Sequence, residues 1–266
     1  MTTRVAVTGA SGTLGSLISD VVEATPGFEL VARLGRTSAL EELRGADLVV
    51  DATTPSVSPA IVEYAVAHGS NVLVGTSGWS QERIAALEAT ITGNLAVGVV
   101  IVPNFSLGSV LATGFAAIAG RFYDSVEIIE SHRQAKIDSP SGTAVRTAEL
   151  IAQSRRDREP VIAPHTDQRA RGQSVAGIPV HSLRMAGVVA QQEVILGGPG
   201  EQVRLRHDTL SEEAYRQGIR LALAAARDAR GVTVGLDALL GLDRLWQTAR
   251  TLGASEPGAG ESGLPE

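Results

Sequence analysis

The sequence predicts a doubly wound α/β domain with a parallel sheet, joined to a second α+β domain built on a mostly antiparallel or mixed sheet. Short apolar segments alternate with helical segments over the first hundred residues, glycines and prolines separate them, and the alternation stops after Asn104. Strands that alternate with helices of this length are typical of right-handed βαβ units. We expect residues 1–106 with about 211–250 to form the first domain, and residues 107–210 to form the second.

Apolar runs and helical periodicity define the elements of the first domain. Five strands are predicted: Val5–Thr8, Glu29–Leu34, Leu48–Thr53, Asn71–Val74 and Ala96–Val102. Three helices are predicted between them: Leu14–Ala24, Ser58–His68 and Gln81–Thr92. Turn-forming residues mark the boundaries: Thr8 to Gly15, Pro55, and Gly75 to Gly78.

The second domain has a different rhythm. We expect, in order, a helix at Leu107–Ala119, a strand at Ser125–Ser131, a helix near Thr143–Ala152, a long loop over 154–177, and strands at Ile178–Leu183, Val188–Leu196 and Gln202–His207. The glycines and proline of 197–200 predict a hairpin between the last two strands. A final helix is predicted over Ser211–Arg230 with Ser211 as its N-cap, and residues 253–266 have the composition of a disordered tail.

Composition excludes several classes of protein. The chain has no cysteine, so disulfides, thiolate nucleophiles and cysteine-bound metals are impossible, and no metal site is predicted. A formal net charge of −6 argues against nucleic acid as a partner. The apolar runs are too short to span a bilayer, and the N-terminal residues do not resemble a signal peptide. We therefore expect a cytoplasmic protein without a membrane or nucleic-acid partner.

Three glycines follow the first predicted strand and precede the first predicted helix. They lie in the segment Gly9-Ala10-Ser11-Gly12-Thr13-Leu14-Gly15. Glycine allows a tight turn and a close approach of the backbone to a pyrophosphate, and the free N–H groups of the helix start stabilise the anion. The spacing is G-x-x-G-x-x-G rather than the commoner G-x-G-x-x-G. In its strand–turn–helix context it predicts a Rossmann-type dinucleotide site rather than a merely tight turn.

The end of the second predicted strand bears on the choice of cofactor. NAD-binding domains usually carry an acidic residue there that binds the ribose 2′-hydroxyl, but this chain has Gly35 followed by Arg36. An arginine can pair with a 2′-phosphate, although an exposed loop arginine is the competing interpretation. We therefore expect NADPH to be preferred over NADH.

Two further loops fall at the carboxyl ends of predicted parallel strands, where nucleotides bind in such sheets. They are Gly75-Thr76-Ser77 and Val102-Pro103-Asn104-Phe105. Either could be an ordinary turn. Because they share one edge of the sheet, we assign both to the nicotinamide side.

Lys136 is the only lysine of the chain, among 22 arginines. It lies four residues after His132, in the densest run of polar and turn-forming residues. A histidine can deliver a proton near neutral pH, and a compact ammonium can hold a carboxylate or help to protonate a carbanion. By contrast, none of the three tyrosines has a lysine four residues later, which excludes the chemistry of short-chain dehydrogenases.

The segment Ser141-Gly142-Thr143 begins a predicted helix. Its hydroxyls and free backbone N–H groups can bind a carboxylate. With His132 and Lys136 it predicts a receptor for a small dianionic substrate beside a hydride donor.

The segment from Glu127 to Ala144 resembles the signature of the dihydrodipicolinate reductase family, Glu-Ile/Val-x-Glu-x-His-x-x-x-Lys-x-Asp-x-x-Ser-Gly-Thr-Ala, at every fixed position. The resemblance covers nearly the whole chain. It extends to the glycine turn, the loops after Gly75 and Val102, the segment 177–184, Gly200-Glu201 and His207.

This resemblance implies NAD(P)H-dependent reduction of 4-hydroxy-tetrahydrodipicolinate to tetrahydrodipicolinate. It implies that His132 is the acid/base, that Lys136 is the proton donor or its electrostatic partner, and that Ser141, Gly142 and Thr143 bind a carboxylate of the substrate. It also implies a homotetramer assembled through the sheet of the second domain, and a C-terminal helix that returns to the first domain.

Three positions depart from the family pattern. Arg133 stands where most members have a second histidine that helps to bind substrate, Gly35 replaces an acidic residue, and Gln191-Gln192-Glu193 replaces a histidine-containing stretch. An arginine can hold a carboxylate bidentately. Two alternatives therefore stay open: a paralogous reductase of another cyclic imine or unsaturated dicarboxylate, and a nucleotide-sensing protein without catalysis.

Overall fold

The computed structural model describes residues 1–92 and 96–242. Its strands are β1 (Thr3–Thr8), β2 (Phe28–Leu34), β3 (Leu48–Asp51), β4 (Asn71–Val74), β5 (Gly98–Ile101), β6 (Ser125–His132), β7 (Gln173–Val175), β8 (Ile178–Arg184), β9 (Ala190–Gly198), β10 (Glu201–Thr209) and β11 (Gly231–Val234). Its α-helices are α1 (Thr13–Ala24), α2 (Ser58–Ala67), α3 (Gln81–Thr92), α4 (Leu107–Ala119), α5 (Gly142–Ser154), α6 (Arg216–Arg227) and α7 (Leu236–Leu239).

The first sheet has six parallel strands in the order β11-β5-β4-β3-β1-β2. Its central strands are buried on both faces because helices cover both sides. One core is shared by α1 and α6, and the other by α2 and α3. The direction of winding reverses between β1 and β3, which is where ligands bind in open sheets of this kind. The predicted doubly wound fold is confirmed.

The second sheet is mixed, with the order β10-β9-β6-β8-β7. Only β6 and β8 are parallel, while the other pairs are antiparallel. Helices α4 and α5 pack on one of its faces, where Val126 and Ile128 of β6 are buried. The predicted hairpin is present between β9 and β10, and Gly200 adopts a φ of 80° in its turn, a conformation that glycine adopts without steric cost.

Three short elements were not predicted. The segment 154–177 contains β7, and two elements follow α6: β11, which pairs with β5 at the edge of the first sheet, and α7. Strand β3 also ends earlier than predicted. The reason is local, because Oδ1 of Asp51 accepts a hydrogen bond from the backbone N–H of Thr53 at 3.1 Å and turns the chain.

The predicted helix over Ser211–Arg230 is wrong at both ends. Residues Glu212–Tyr215 form a single 3₁₀ turn, α6 begins at Arg216 and ends at Arg227, and the Ser211 side chain makes no capping hydrogen bond. The segment after α6 is extended because it pairs with β5.

Residues 243–266 lie outside the described part of the chain, and so does the predicted tail at 253–266. Within residues 1–92 and 96–242, no helix combines the length and the apolar character needed to cross a bilayer.

Candidate active site

A cleft of about 620 Å³ lies where the two sheets meet. The start of α1 contributes Thr13 and Leu14 to its wall. The loops after β4 and β5 contribute Gly75, Pro103, Asn104 and Phe105. The second sheet and the loop that follows β6 contribute His132, Arg133, Lys136, Ser141 and Thr143. The residues predicted to bind the cofactor and those predicted to bind and protonate the substrate therefore line one cleft.

The glycine turn between β1 and α1 is tightly packed on its inner side. A Cβ on Gly9 would lie 2.3 Å from the carbonyl oxygen of Ala52, and a Cβ on Gly15 would lie 2.1 Å from that of Gly9. Gly9 also adopts a φ of 70°, which favours glycine. Gly12 differs, since its Cβ would come no closer than 3.4 Å to its nearest neighbour. Ser11, Gly12 and Thr13 are exposed, so the outer side of the turn and the first N–H groups of α1 are open to an anion, as a dinucleotide pyrophosphate requires.

The remaining predicted cofactor residues lie around this turn but differ in exposure. Arg36 is exposed just after β2. After β4, Gly75 lines the cleft, Ser77 is exposed, and Thr76 is buried. The Thr76 hydroxyl oxygen accepts a hydrogen bond from the N–H of Thr53 at 2.9 Å, so its side chain ties two loops together.

The loop after β5 presents three of its four predicted residues to the cleft. Pro103, Asn104 and Phe105 line it, whereas the Val102 side chain is buried in the core between the first sheet and α1. Asn104 holds the loop in place, because its Nδ2 donates to Ser109 Oγ and its Oδ1 accepts from the N–H of Ser106, both at 2.9 Å.

The His132 side chain is positioned by the alternation of strand β6. Residues 126, 128, 130 and 132 share one face of the strand, and this face changes from buried apolar residues to Glu130 and His132. The result is a distance of 2.5 Å between Nδ1 of His132 and Oε2 of Glu130. Burial acts to raise the pKa of Glu130, but hydrogen bonds from His132, Arg184 and Ser182 outweigh it and lower that pKa to about 2.

Lys136 lies in the loop between β6 and α5. Its Nζ donates to Oδ1 of Asp138 at 2.8 Å, and its side chain is one-quarter exposed. Burial acts to raise the pKa of Asp138, but the ammonium of Lys136 outweighs it, and that pKa is lowered. Both side chains line the cleft with His132. The ammonium therefore lines the same cleft as the imidazole.

Ser141 caps helix α5 and is itself buried. Its Oγ accepts from the N–H of Ala144 at 3.2 Å, and its own N–H donates to Oε1 of Glu130 at 3.2 Å. The bond to Glu130 takes up the N–H that the sequence analysis offered to a substrate carboxylate, whereas the Ser141 hydroxyl accepts through a lone pair and keeps its hydrogen as a donor. Gly142 is exposed and Thr143 half-buried, and as first-turn residues they have N–H groups without partners inside the helix.

The cleft also contains residues to which no role was assigned individually, although Ser106 lies in a predicted cofactor loop and Gln192 and His207 were noted in the comparison with the family pattern. They are Ser106, Ser109, Gln192, His207, Thr209, Glu212 and Tyr215 among others. Nε2 of His207 lies 3.3 Å from Ser106 Oγ, which joins β10 to the loop after β5, and burial lowers the pKa of His207. These side chains come from different strands, turns and helix α4, and apart from His207, which belongs to the family resemblance, no local motif marked them.

Arg184, on β8, was assigned no role in the site. Its guanidinium donates to both carboxylate oxygens of Glu130 at 2.9 Å. The parallel pairing of β6 with β8 sets Ser182 beside Glu130 and Arg184 beside His132. The only signal in the sequence would have been this register, which is not visible before the sheet is known.

Comparisons with known proteins point to one family. Residues 3–105 match the family model described as dihydrodipicolinate reductase, N-terminus, and residues 108–240 match the one described as its C-terminus. A 4-hydroxy-tetrahydrodipicolinate reductase of Clavibacter sepedonicus is 65% identical over 261 residues, which cover 97% of this chain and 94% of the relative. The enzyme of that name from Streptomyces coelicolor is 44% identical, with 90% and 98% covered.

Among solved structures, a dipicolinate-bound dihydrodipicolinate reductase from Paenisporosarcina sp. TG-14 superposes with a TM-score of 0.75. It is 28% identical, and the match covers 90% of this chain and 99% of the other. The two family models match both halves of the chain, the relatives match over 94% or more of their length, and the solved structure shares the fold. The chain belongs to the dihydrodipicolinate reductase family.

Proposed function

We propose that this protein catalyses the NAD(P)H-dependent reduction of 4-hydroxy-tetrahydrodipicolinate to tetrahydrodipicolinate, in lysine and diaminopimelate biosynthesis. The reaction adds a hydride and a proton and releases the 4-hydroxyl group as water. The observation that carries the proposal is the shared cleft, which Thr13 and Leu14 of the glycine turn line together with His132 and Lys136. Membership of the reductase family supports it.

The cofactor would bind along the edge formed by the glycine turn and the two loops. Gly9, Ala10, Ser11, Gly12, Thr13 and Leu14 would hold the pyrophosphate with backbone N–H groups and the start of α1. Gly75, Thr76, Ser77 and the segment from Val102 to Phe105 would border the nicotinamide, with Val102 and Thr76 acting through the backbone because their side chains are buried. The bound cofactor supplies the hydride.

NADPH is the preferred cofactor in this proposal. Arg36 is exposed beyond β2 and can make charge-assisted hydrogen bonds to a 2′-phosphate. Neither Gly35 nor Arg36 offers the carboxylate that would accept a hydrogen bond from the 2′-hydroxyl of NADH.

The substrate would be held by its two carboxylates. The N–H groups of Gly142 and Thr143, with the hydroxyl of Ser141, form one anion site at the start of α5. Arg133 is exposed on the cleft wall and, with Lys136, forms the other. Nδ1 of His132 contacts Glu130, so the other ring nitrogen, Nε2, would deliver the proton to the substrate. The ammonium of Lys136 would stabilise the negative charge that develops on the substrate.

The position of Arg133 keeps the paralogous reductase open as a second candidate. A guanidinium reaches further into the cleft than an imidazole and could favour another cyclic imine or unsaturated dicarboxylate. The Arg133→His variant tests this. Activity of the unmodified protein on the standard substrate removes the second candidate, whereas inactivity of both forms would support it.

A homotetramer formed through the second sheet is also part of the proposal. The face of this sheet opposite α4 and α5 carries Ile129, Leu183 and Ile195, and all three are partly or fully exposed. A further copy of the chain would cover these three apolar side chains, which share the face with polar and charged residues that include Glu127, His181 and Glu193. The division into domains of 1–106 with about 211–250, and of 107–210, follows the two sheets, and the cytoplasm is the compartment we assign.

The decisive experiment is a coupled assay that generates the substrate from pyruvate and aspartate semialdehyde and follows NADPH oxidation. His132→Gln and Lys136→Ala should each lower kcat by about 100-fold or more, with the dissociation constant for NADPH unchanged. Arg146→Ala is the matched control, because Arg146 is an exposed cation of α5 that does not line the cleft. No turnover by the unmodified protein would contradict the function, and normal turnover by the Lys136 variant would contradict the role of that residue.

A further inference from the structure

Glu130 is the meeting point of three separate parts of the site. The side chain has no solvent exposure. Oε2 lies 2.5 Å from Nδ1 of His132, and Oε1 accepts from the N–H of Ser141, the residue that caps α5. One carboxylate therefore contacts both the imidazole of the proposed acid and the turn that carries the proposed anion site.

Arg184 connects the same carboxylate to the lysine loop. Besides its two bonds to Glu130, its Nη2 donates to the carbonyl oxygen of Asp138 at 2.6 Å and its Nε donates to that of Lys136 at 3.3 Å. The planar guanidinium makes these contacts in fixed directions, which an ammonium could not reproduce. Movement of Arg184 would thus disturb Glu130 and the backbone of the lysine loop together.

We propose that Glu130 and Arg184 are positioning residues that fix the tautomer of His132 and hold the lysine loop and the anion-binding turn in register with it. This inference rests on the proposed function. Neither residue lines the cleft, so both act through the residues that do.

The direction of the hydrogen bond follows from the charge of Glu130. The pKa of this carboxyl is about 2, so it is ionised at neutral pH and can only accept hydrogen bonds. Nδ1 of His132 must then carry a hydrogen. In the neutral imidazole Nε2 has none and is an acceptor, ready to take up the proton that it will deliver.

If the Glu130–Arg184 ion pair had only a structural role, its loss would have a different effect on His132. Its loss would lower stability without changing the imidazole, because a buried pair that loses one partner leaves an unpaired charge. Arg121 and Asp157 provide a comparison: two hydrogen bonds join the guanidinium to the carboxylate, the Arg121 side chain is buried while that of Asp157 is 58% exposed, and neither lines the cleft. Asp157→Asn is therefore the control variant.

The first test uses Glu130→Gln in the full-length protein. We expect ¹⁵N NMR of the imidazole, assigned with His132→Gln and recorded near pH 8 where a free imidazole is neutral, to show a shift from the Nδ1–H tautomer towards the Nε2–H tautomer. This readout needs no substrate, so it holds even if the proposed reaction is wrong. An unchanged tautomer would overturn the inference.

The second test is kinetic and uses Arg184→Lys. Lysine keeps a positive charge near Glu130, so this variant is expected to fold even where removal of the charge would prevent folding. We expect kcat to fall about 10–100-fold, with the dissociation constant for NADPH unchanged and with Asp157→Asn at the turnover of the unmodified protein. A change in KM alone, or an equal loss of kcat in Asp157→Asn, would assign the pair a structural role and refute the positioning role.

Discussion

The backbone of α6 at Gly218 contacts the carbonyl oxygen of Phe105, and a Cβ at this glycine would lie only 1.9 Å from that oxygen. The loop after β5 thus rests directly on a helix more than a hundred residues later in the chain. Because Phe105 lines the cleft, helix α6 supports the predicted nicotinamide side of the site.

We expect Gly218→Ala to lower the free energy of unfolding by about 1–3 kcal/mol, because the new methyl group would force the loop and helix apart. The affinity for NADPH should fall as well if this loop borders the cofactor, as proposed above. Thermal denaturation and cofactor titration measure the two effects. Gln217→Ala, on the exposed side of the same helix, serves as the control, and equal behaviour of the two variants would argue against the contact.

Alanine substitutions at Gly9 and Gly12 of the first turn should have different effects, one on stability and the other on cofactor binding. Gly9→Ala should destabilise the fold, since its Cβ would overlap the Ala52 carbonyl and its φ is positive. Gly12→Ala has room in the protein itself and should leave the melting temperature nearly unchanged, but its methyl group would point to the place where a pyrophosphate approaches. We therefore expect it to weaken NADPH binding. Tight binding by Gly12→Ala would show that the cofactor does not lie against this turn.

Arg36 should determine the preference between the two nicotinamide cofactors. Arg36→Ala should raise the KM for NADPH by about 10-fold, the loss of one charge-assisted contact, while the KM for NADH stays constant. Arg33→Ala is the control, because Arg33 is a neighbouring arginine that pairs with Glu23 at 2.9 Å. Parallel changes for both cofactors would mean that Arg36 does not contact the 2′-phosphate.

The buried carboxylate of Glu130 should make stability depend on pH. Its pKa is lowered from 4.5 to about 2 in the folded protein, so its contribution is present above the unfolded value and is lost as the pH falls through the range from about 5 to about 2. The difference between the folded and unfolded pKa values of Glu130 corresponds to at most about 3 kcal/mol of the free energy of unfolding. Urea unfolding over this pH range should give a flatter profile for Glu130→Gln than for the unmodified protein. Identical slopes would contradict the assignment.

Much of the fold was predictable from local pattern. The bounds of Asn71–Val74 and Leu107–Ala119 and the start of Gln81–Thr92 were predicted without error, because turn-forming residues lie next to them. The family motif likewise placed His132 and Lys136 in one short segment, and the structure places both on one cleft.

Strand β3 ends early for a local reason, but the larger errors fall in elements that depend on tertiary packing. Strand β11 has only four residues, and it is a strand because β5 offers an edge to pair with. Helix α6 starts at Arg216 rather than at Ser211, whose side chain makes no cap. A favourable N-cap residue is a weak preference of about 1 kcal/mol, which tertiary packing can override.

The amino-acid sequence alone determined the βαβ rhythm and the glycine turn, because each depends on residues close together in the chain. It also supplied His132 and Lys136 as the candidate reactive side chains, and their roles stay predictions. Three contacts became known only from the tertiary structure. Arg184 donates hydrogen bonds to Glu130, which lies 54 positions earlier in the sequence. The N–H of Ser141 donates to the same carboxylate, and the Val102 side chain faces the core. Such contacts depend on strand register and on the packing of helices against sheets, and these are settled by the burial of the whole core rather than by any local run of residues.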